Sequence, residues 1–233
     1  MNIIYEDNHL LVVEKPFDVL SQKDNTNDPD MVEMLKKYLK DKYNKKGNVY
    51  LGLVHRLDRP VGGVMVFAKT SKAAVRLSEA IRNNEFKKRY LVTINGKMDK
   101  KEGVLCDYLL KDKRTNMVFV VSDKTKGAKK AILKYKVLQE VNGLSLLIVE
   151  LVTGRSHQIR VQFSSRGNPL YGDQRYGGKF SKVGQRIALW AYEVEFIHPT
   201  KKEVMKFNLK PKYNMPWSLF TLLWQDLSVL NNV

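Results

Sequence analysis

The chain has 233 residues, 43% of them hydrophobic, which is enough to bury a sizeable core as one large domain or two small ones. Its 41 Lys+Arg against 24 Asp+Glu leave a formal net charge of +17, a self-repelling surplus that points to a polyanionic partner and away from a disordered chain. One cysteine rules out a disulfide scaffold or a cysteine zinc site, and neither a signal peptide nor a run of about 20 apolar residues is visible, so a soluble, cytoplasmic chain without a membrane partner is expected.

In chain order, Ile3-Ile4-Tyr5 and Leu10 to Val13 flank a polar turn and read as a hairpin ending at Lys15-Pro16. Met31, Leu35, Tyr38 and Leu39 recur at helical spacing after Asp28-Pro29-Asp30, and Lys42 to Asn48 is a basic loop. Strands are predicted over Val49 to Val54 and Val64 to Ala68, with a polar loop from His55 to Gly63 between them. Thr70-Ser71 caps a helix carrying Ala74, Leu77, Ala80 and Ile81. Strand patterns then follow over Tyr90–Ile94, Val104–Leu110, Met117–Val121, Ala131–Gln139 and Leu144–Val152, with Asn142-Gly143 the clearest hairpin turn. Cys106 reads as a buried thiol between Leu105 and Asp107. Ser156 to Phe163 reads as a helix, Ile187–Ile197 and Val204–Leu209 as a hairpin, and Trp217 to Leu227 as a terminal helix. Many adjacent strands and few helices argue for an α+β fold, a mixed and largely antiparallel sheet flanked by helices. No boundary signal divides residues 1–233, so a single domain is expected.

Four segments are suited to chemistry. His55-Arg56-Leu57-Asp58-Arg59-Pro60-Val61-Gly62-Gly63 sets one carboxylate among cations on a loop between apolar strands, and the cations favour the ionised acid. Its glycines permit a sharp turn or close approach of a ligand. Thr153-Gly154-Arg155-Ser156-His157-Gln158-Ile159-Arg160-Val161 brings basic residues to a helix start; with a helix from Ser156, that residue shares a face with Ile159 and Arg160 while His157 looks elsewhere. Phe86-Lys87-Lys88-Arg89-Tyr90 joins a basic cluster to an aromatic strand, and Asn168 to Gly178 is a turn-rich polar loop. The histidines lack ligand spacing, and His9 and His198 sit in turns, solvent-facing or turn-bonded. No phosphate-binding glycine loop is present, so neither a metal nor a nucleotide cofactor is expected.

Taken in order, His55-Arg56-Leu57-Asp58 with its following strand, Lys88-Arg89-Tyr90, Thr153 to Val161 and the Tyr171-Gly172-Asp173 loop resemble the RluA-type RNA pseudouridine synthases. The opening strands to Lys15-Pro16 and the His198-Pro199 turn are similar as well. Where many members carry a Thr-Ser-Gly turn after the aspartate, this chain has Arg59-Pro60-Val61-Gly62-Gly63. The resemblance implies the pseudouridine synthase catalytic fold with a cleft across its sheet, without an amino-terminal S4-type domain. It implies isomerisation of specific uridines in rRNA or tRNA, with Asp58 the catalytic aspartate, Arg160 its arginine partner and Tyr90 packed against the target base. Arg56 matches the arginine that fills the gap left by the flipped nucleotide. His55, Arg59, Lys88, Arg155, His157 and Tyr171 are expected to bind substrate RNA, and Lys87, Lys129 and Lys130 are candidate backbone contacts. The chain is expected to act as a monomer. A catalytically silent RNA-binding or ribosome-assembly protein is the alternative, which the joint presence of Asp58, Tyr90 and Arg160 disfavours. A glycoside hydrolase needs two acids flanking the bond, and only Asp58 lies in such a motif.

Overall fold

The computed structural model describes residues 1–26 and 28–224. In chain order the elements are β1 (Ile3–Glu6), β2 (Leu10–Lys15), α1 (Met31–Lys42), β3 (Gly52–Leu53), β4 (Gly62–Ala68), α2 (Ser71–Arg82), β5 (Lys87–Asn95) and β6 (Glu102–Lys111). They continue as β7 (Val118–Val121), β8 (Lys129–Val141), β9 (Leu144–Leu151), α3 (Gln158–Ser164), β10 (Leu189–Ile197) and β11 (Val204–Asn208), with short 3-10 turns at Gly178–Phe180, Trp217–Leu219 and Thr221–Leu223. This is the α+β arrangement expected. Two compact units divide it: Met1–Lys88 with Ala191–Lys210, and Arg89–Trp190 with the chain from Pro211. Among the described residues no helix is long and apolar enough to cross a membrane.

In the first unit the strand order is β1-β2-β4-β10, with β3 beside β4 and β11 beside β10. The pairs β1–β2, β2–β4, β3–β4 and β10–β11 are antiparallel. Leu10, Val12, Val64, Val66 and Ala68 pack with Ala73 and Leu77 of α2 and with Phe86, whose ring stacks on Phe196 at 4.8 Å. The alternating residues Leu11, Val13, Met65 and Phe67 are equally inaccessible, so β2 and β4 read as continuous apolar runs because both of their faces are covered.

Local sequence explains the helix starts. Asp30 accepts from the Val32 and Glu33 amides at the head of α1, and Thr70 from Ala73 at the head of α2. The foot of α1 is tied to β1 through Glu6, which accepts from Tyr38, Lys42, Tyr43 and Lys69. Burial alone would push the Glu6 carboxyl up, yet these donors hold it at about 2. His198 is wholly buried and turn-bonded: Nδ1 accepts from the Lys201 amide at 2.9 Å while Nε2 donates to Asp7 at 2.8 Å.

In the second unit the order is β5-β9-β8-β6-β7, every neighbour antiparallel. The β8–β9 turn has the positive φ values that Asn142-Gly143 anticipates, +51° and +76°. Val161 of α3 covers Leu109, Val118 and Ala131 on one face of the sheet. Four sequence expectations are corrected. The strand before Asp58 shrinks to Gly52–Leu53. Cys106 is exposed, because alternation sends Leu105 and Leu109 inward and Cys106 to the opposite face. Helix α3 begins at Gln158, since His157 takes the left-handed conformation with φ +51° and leaves Ser156 outside the helix. Trp217, Phe220 and Leu223, spaced by three, are buried along 3-10 turns whose period is three, in place of an α-helix; residues 225–227 of that expected helix lie outside the described residues.

Candidate active site

In the first unit the loop from Val54 to Val61 is fastened to the strands beneath it by buried polar contacts. Lys15, at the end of β2, is fully buried and donates to the carbonyls of Pro16 and Arg59, both at 3.0 Å, and of Val61 at 2.7 Å. An ammonium has three protons, so each meets a carbonyl. Ser21 donates to the Leu57 carbonyl at 2.7 Å and accepts its amide at 3.1 Å. The Val61 amide closes a turn onto the Asp58 carbonyl at 2.9 Å. These contacts fix the backbone on both sides of Asp58 while its side chain stays partly accessible. Burial pushes the Lys15 ammonium down to about 8, against the opposing pull of Asp18 and Asp58. A cation therefore stands behind the aspartate without contacting solvent.

His55 is part of the same brace. Its Nε2 accepts the Val66 amide at 3.0 Å, its ring lies 5.5 Å from that of Phe86, and burial, with Lys88 nearby, pushes the imidazole down to about 3. The neutral ring holds the loop to β4. Arg56 and Arg59 are exposed, and Arg59 meets Asp28 at 2.8 Å. Gly63, with φ +125°, serves a close approach, but to protein backbone: a Cβ there would stand 2.2 Å from the Ala191 carbonyl oxygen of β10.

In the second unit Arg160 is buried on α3 and forms a fork on Asp173, Nε to Oδ2 at 2.8 Å and a terminal nitrogen to Oδ1 at 2.7 Å. Asp173 also accepts the amides of Arg175 and Tyr176. Burial raises its carboxyl, but the Arg160 guanidinium and these amides outweigh that and hold it below the usual carboxylate range. The guanidinium lies 5.1 Å over the Tyr176 ring. The Tyr176 oxygen accepts the Val118 amide at 2.9 Å and shares a second hydrogen bond, of 2.7 Å, with His157 Nδ1. Gln158 accepts from Thr153 and from the Arg155 amide, locking the turn before α3, and Arg155 donates through Nε to the Lys130 carbonyl. Tyr171 accepts from Gln185 at 3.0 Å.

Tyr90 is buried in β5. Two of its basic neighbours are already engaged, Arg89 buried against Glu150 at 3.0 Å and Lys87 meeting Glu195 at 2.7 Å, while burial lowers the Lys88 ammonium. Within the first unit the structure therefore groups His55, Arg56, Asp58 and Arg59, and within the second it links Arg160 and His157 through Asp173 and Tyr176. Sequence reasoning missed Lys15, Ser21, Asp173 and Tyr176 as supporting residues. Lys15-Pro16 and the Tyr171-Gly172-Asp173 loop belong to the segments that resemble the family, but the sequence assigns neither Lys15 nor Asp173 a partner, and Tyr176 shows only as part of a turn-rich loop. No cluster of His, Cys, Asp and Glu suited to a metal ion occurs among the described residues.

Comparison with known proteins identifies the family. Residues 9–165 match the family described as RNA pseudouridylate synthase. An uncharacterized RNA pseudouridine synthase from Aquifex aeolicus is 36% identical over 221 residues, 90% of this chain and 69% of that protein. The dual-specificity RNA pseudouridine synthase RluA of Haemophilus influenzae is 32% identical over 91% of this chain and 94% of its own length. The solved structure of human RNA pseudouridylate synthase domain containing 4 superposes with a TM-score of 0.76 at 21% identity, covering 91% of this chain and 89% of that one, a likeness of fold. The chain thus belongs to the RNA pseudouridylate synthase family and is an RluA-type RNA pseudouridine synthase, an isomerase acting on RNA.

Proposed function

We propose that Asp58 is the catalytic aspartate and that the substrate is one or a few specific uridines in rRNA or tRNA. The reaction breaks the N1–C1′ glycosidic bond, turns the uracil, joins C5 to C1′ and transfers the C5 proton to N1, so the product is an isomer of the substrate. The observation that carries this reading is the rigid seat of Asp58: buried hydrogen bonds anchor the backbone before and after it, and a buried lysine cation lies behind it. Such a seat holds a partly accessible carboxylate in place for a flipped base.

Tyr90 is then the ring against the target base, Arg160 the cation serving the aspartate, and Arg56 the planar cation that enters the gap in the RNA stack. Arg59, Lys88, Arg155 and Tyr171 are proposed to contact RNA. His55 and His157 are proposed to contribute mainly by shaping the two motifs, since both rings are held in hydrogen bonds to the protein. The reading treats residues 1–233 as one catalytic domain acting as a monomer in the cytoplasm; the family match at residues 9–165 draws on both units, which supports that.

Position-resolved mapping of pseudouridine in total RNA tests the assignment. Cells carrying Asp58→Asn should lose the same site or sites as cells without the protein, while the purified variant binds the RNA within about tenfold of wild type, because only the chemistry has been removed. Retention of the modification in the Asp58→Asn strain refutes the role given to Asp58.

A further inference from the structure

We propose that the face of the second unit's sheet turned away from α3 is an additional RNA-binding surface, taking a single-stranded stretch of the substrate outside the target nucleotide. The inference rests on the RNA substrate of this family but not on the role of Asp58.

The strand register defines the face. Leu109, Val118 and Ala131 point to α3, so the alternate residues Val104, Cys106, Tyr108 and Leu110 of β6, Phe119 of β7, and Lys130, Ile132 and Lys134 of β8 point the other way. Tyr108 stands opposite Lys130, and Leu110 opposite Phe119. Tyr108 and Phe119 are thus diagonal neighbours with side chains on one surface. Phe119 is 49% exposed and Val104 60%, and among the described residues neither Phe119 nor Tyr108 stacks on another ring. An open sheet face with aromatic rings and lysines set beside them is a stacking platform for unpaired bases.

Charge selects the occupant. Lys130 and Lys134 stand on this face and are exposed, as are Lys124 and Lys126 of the adjoining loop, whereas Lys111 and Lys129, in register with Val118 and Leu109, point to the α3 side. The loop bearing Lys124 and Lys126 folds onto this face, where a Cβ on Gly127 would lie 3.5 Å from Leu110 Cδ1. The acids of the face are answered in place: Glu150 is held by Arg89, with Lys134 at 3.9 Å, and Glu102 stands in register with Lys136. A protein partner drawn by the apolar patch alone would not require this ring of lysines, whereas a polyanion that also stacks uses both.

A fluorescein-labelled 12-nucleotide single strand of oligouridylate serves as the probe, titrated by anisotropy at several salt concentrations. Phe119→Ala should weaken binding about tenfold, while Phe119→Trp keeps it and shows fluorescence quenching as bases stack. Lys124→Ala with Lys134→Ala should reduce the salt slope by about 1.4. The single-turnover rate at saturating substrate RNA should be unchanged in all of these variants, because the surface binds and does not react. Crosslinking of 4-thiouridine-containing RNA to wild-type Phe119 or Tyr108 gives the same answer without any substitution. Unchanged affinity in every variant, with no crosslink to this face, overturns the proposal. So does a dimer in sedimentation that Phe119→Ala abolishes while RNA affinity stays the same, which would make the face a protein contact. Asp58→Asn run alongside separates the two readings: it changes conversion and not oligouridylate affinity, and the face variants do the reverse.

Discussion

The loop carrying Asp58 and the helix carrying Arg160 both bury polar groups, and each satisfies them by different chemistry. Around Asp58 the work falls to groups aimed at backbone: the Lys15 ammonium on three carbonyls, the Ser21 hydroxyl on both sides of one peptide, and the His55 imidazole on the Val66 amide. Around Arg160 it falls to opposite charges, a bidentate guanidinium–carboxylate pair with two further amides on the carboxylate. The backbone-directed clasp fixes where the chain runs, and the Asp58 side chain stays partly accessible. The charge pair fixes the side chain itself, in a buried place where the loss of one partner is costly. The contrast teaches that one motif is built for placement of a loop and the other for placement of a cation.

The largest effect expected from breaking this contrast lies in the second unit. Asp173→Ala leaves the Arg160 guanidinium buried without its fork, and should cost about 3–5 kcal/mol of unfolding free energy in urea titration. Arg160→Met combined with Asp173→Leu should recover most of that loss, because both charges then leave together; failure to recover it would mean that the amides on Asp173 matter more than the ion pair.

Lys15→Met should cost less, about 1–3 kcal/mol, by stranding carbonyls that lie under the loop. At temperatures where the variant remains folded, its turnover should fall more than its affinity for RNA, since the loop carrying Asp58 loses its seat. Equal loss of both would show that Lys15 supports the fold generally. Ser21→Ala, which removes a donor and an acceptor from a single peptide, should sit lower again at about 1–2 kcal/mol, read by the same urea titration.

The remaining effect is a pH dependence. Burial holds the Lys15 ammonium at about 8 against an ordinary 10.5, so the folded protein gives up that proton before the unfolded chain does. The penalty of a buried charge is present in full below pH 8, and the Lys15 contribution to stability rises as pH climbs from about 8 towards 10.5. Over the same range the clasp on the loop weakens, so turnover should fall while stability does not. NMR titration of the Lys15 Cε resonance locates the transition, and a midpoint near 10.5 would remove the basis for this prediction. Asp173 titrates with the opposite sign: its depressed carboxyl contributes stability above the ordinary aspartate range that is lost as pH falls through the lower folded value.

Much of this molecule was legible in its sequence because the deciding forces there are local. Asp30 and Thr70 cap the helices that follow them, Asn142-Gly143 makes the tight hairpin, and apolar runs such as Val64 to Ala68 form strands wherever they are placed. The motifs around Asp58 and Arg160 were readable for a different reason: chemistry requires particular side chains at fixed short spacings, whatever surrounds them. Which side a strand residue faces was less legible. Cys106 looks like a core thiol beside Leu105, and only the layer of α3 on the other face of the sheet decides that it is exposed. The partners Lys15 with Val61, and Arg160 with Asp173, lie 46 and 13 residues apart. No local rule joins residues at such distances, because the energy of their contact exists only after the strands and turns between them have been packed and water has been excluded. The sequence by itself determined the elements, the charge and the reactive residue types; tertiary structure alone decided which buried group answers which.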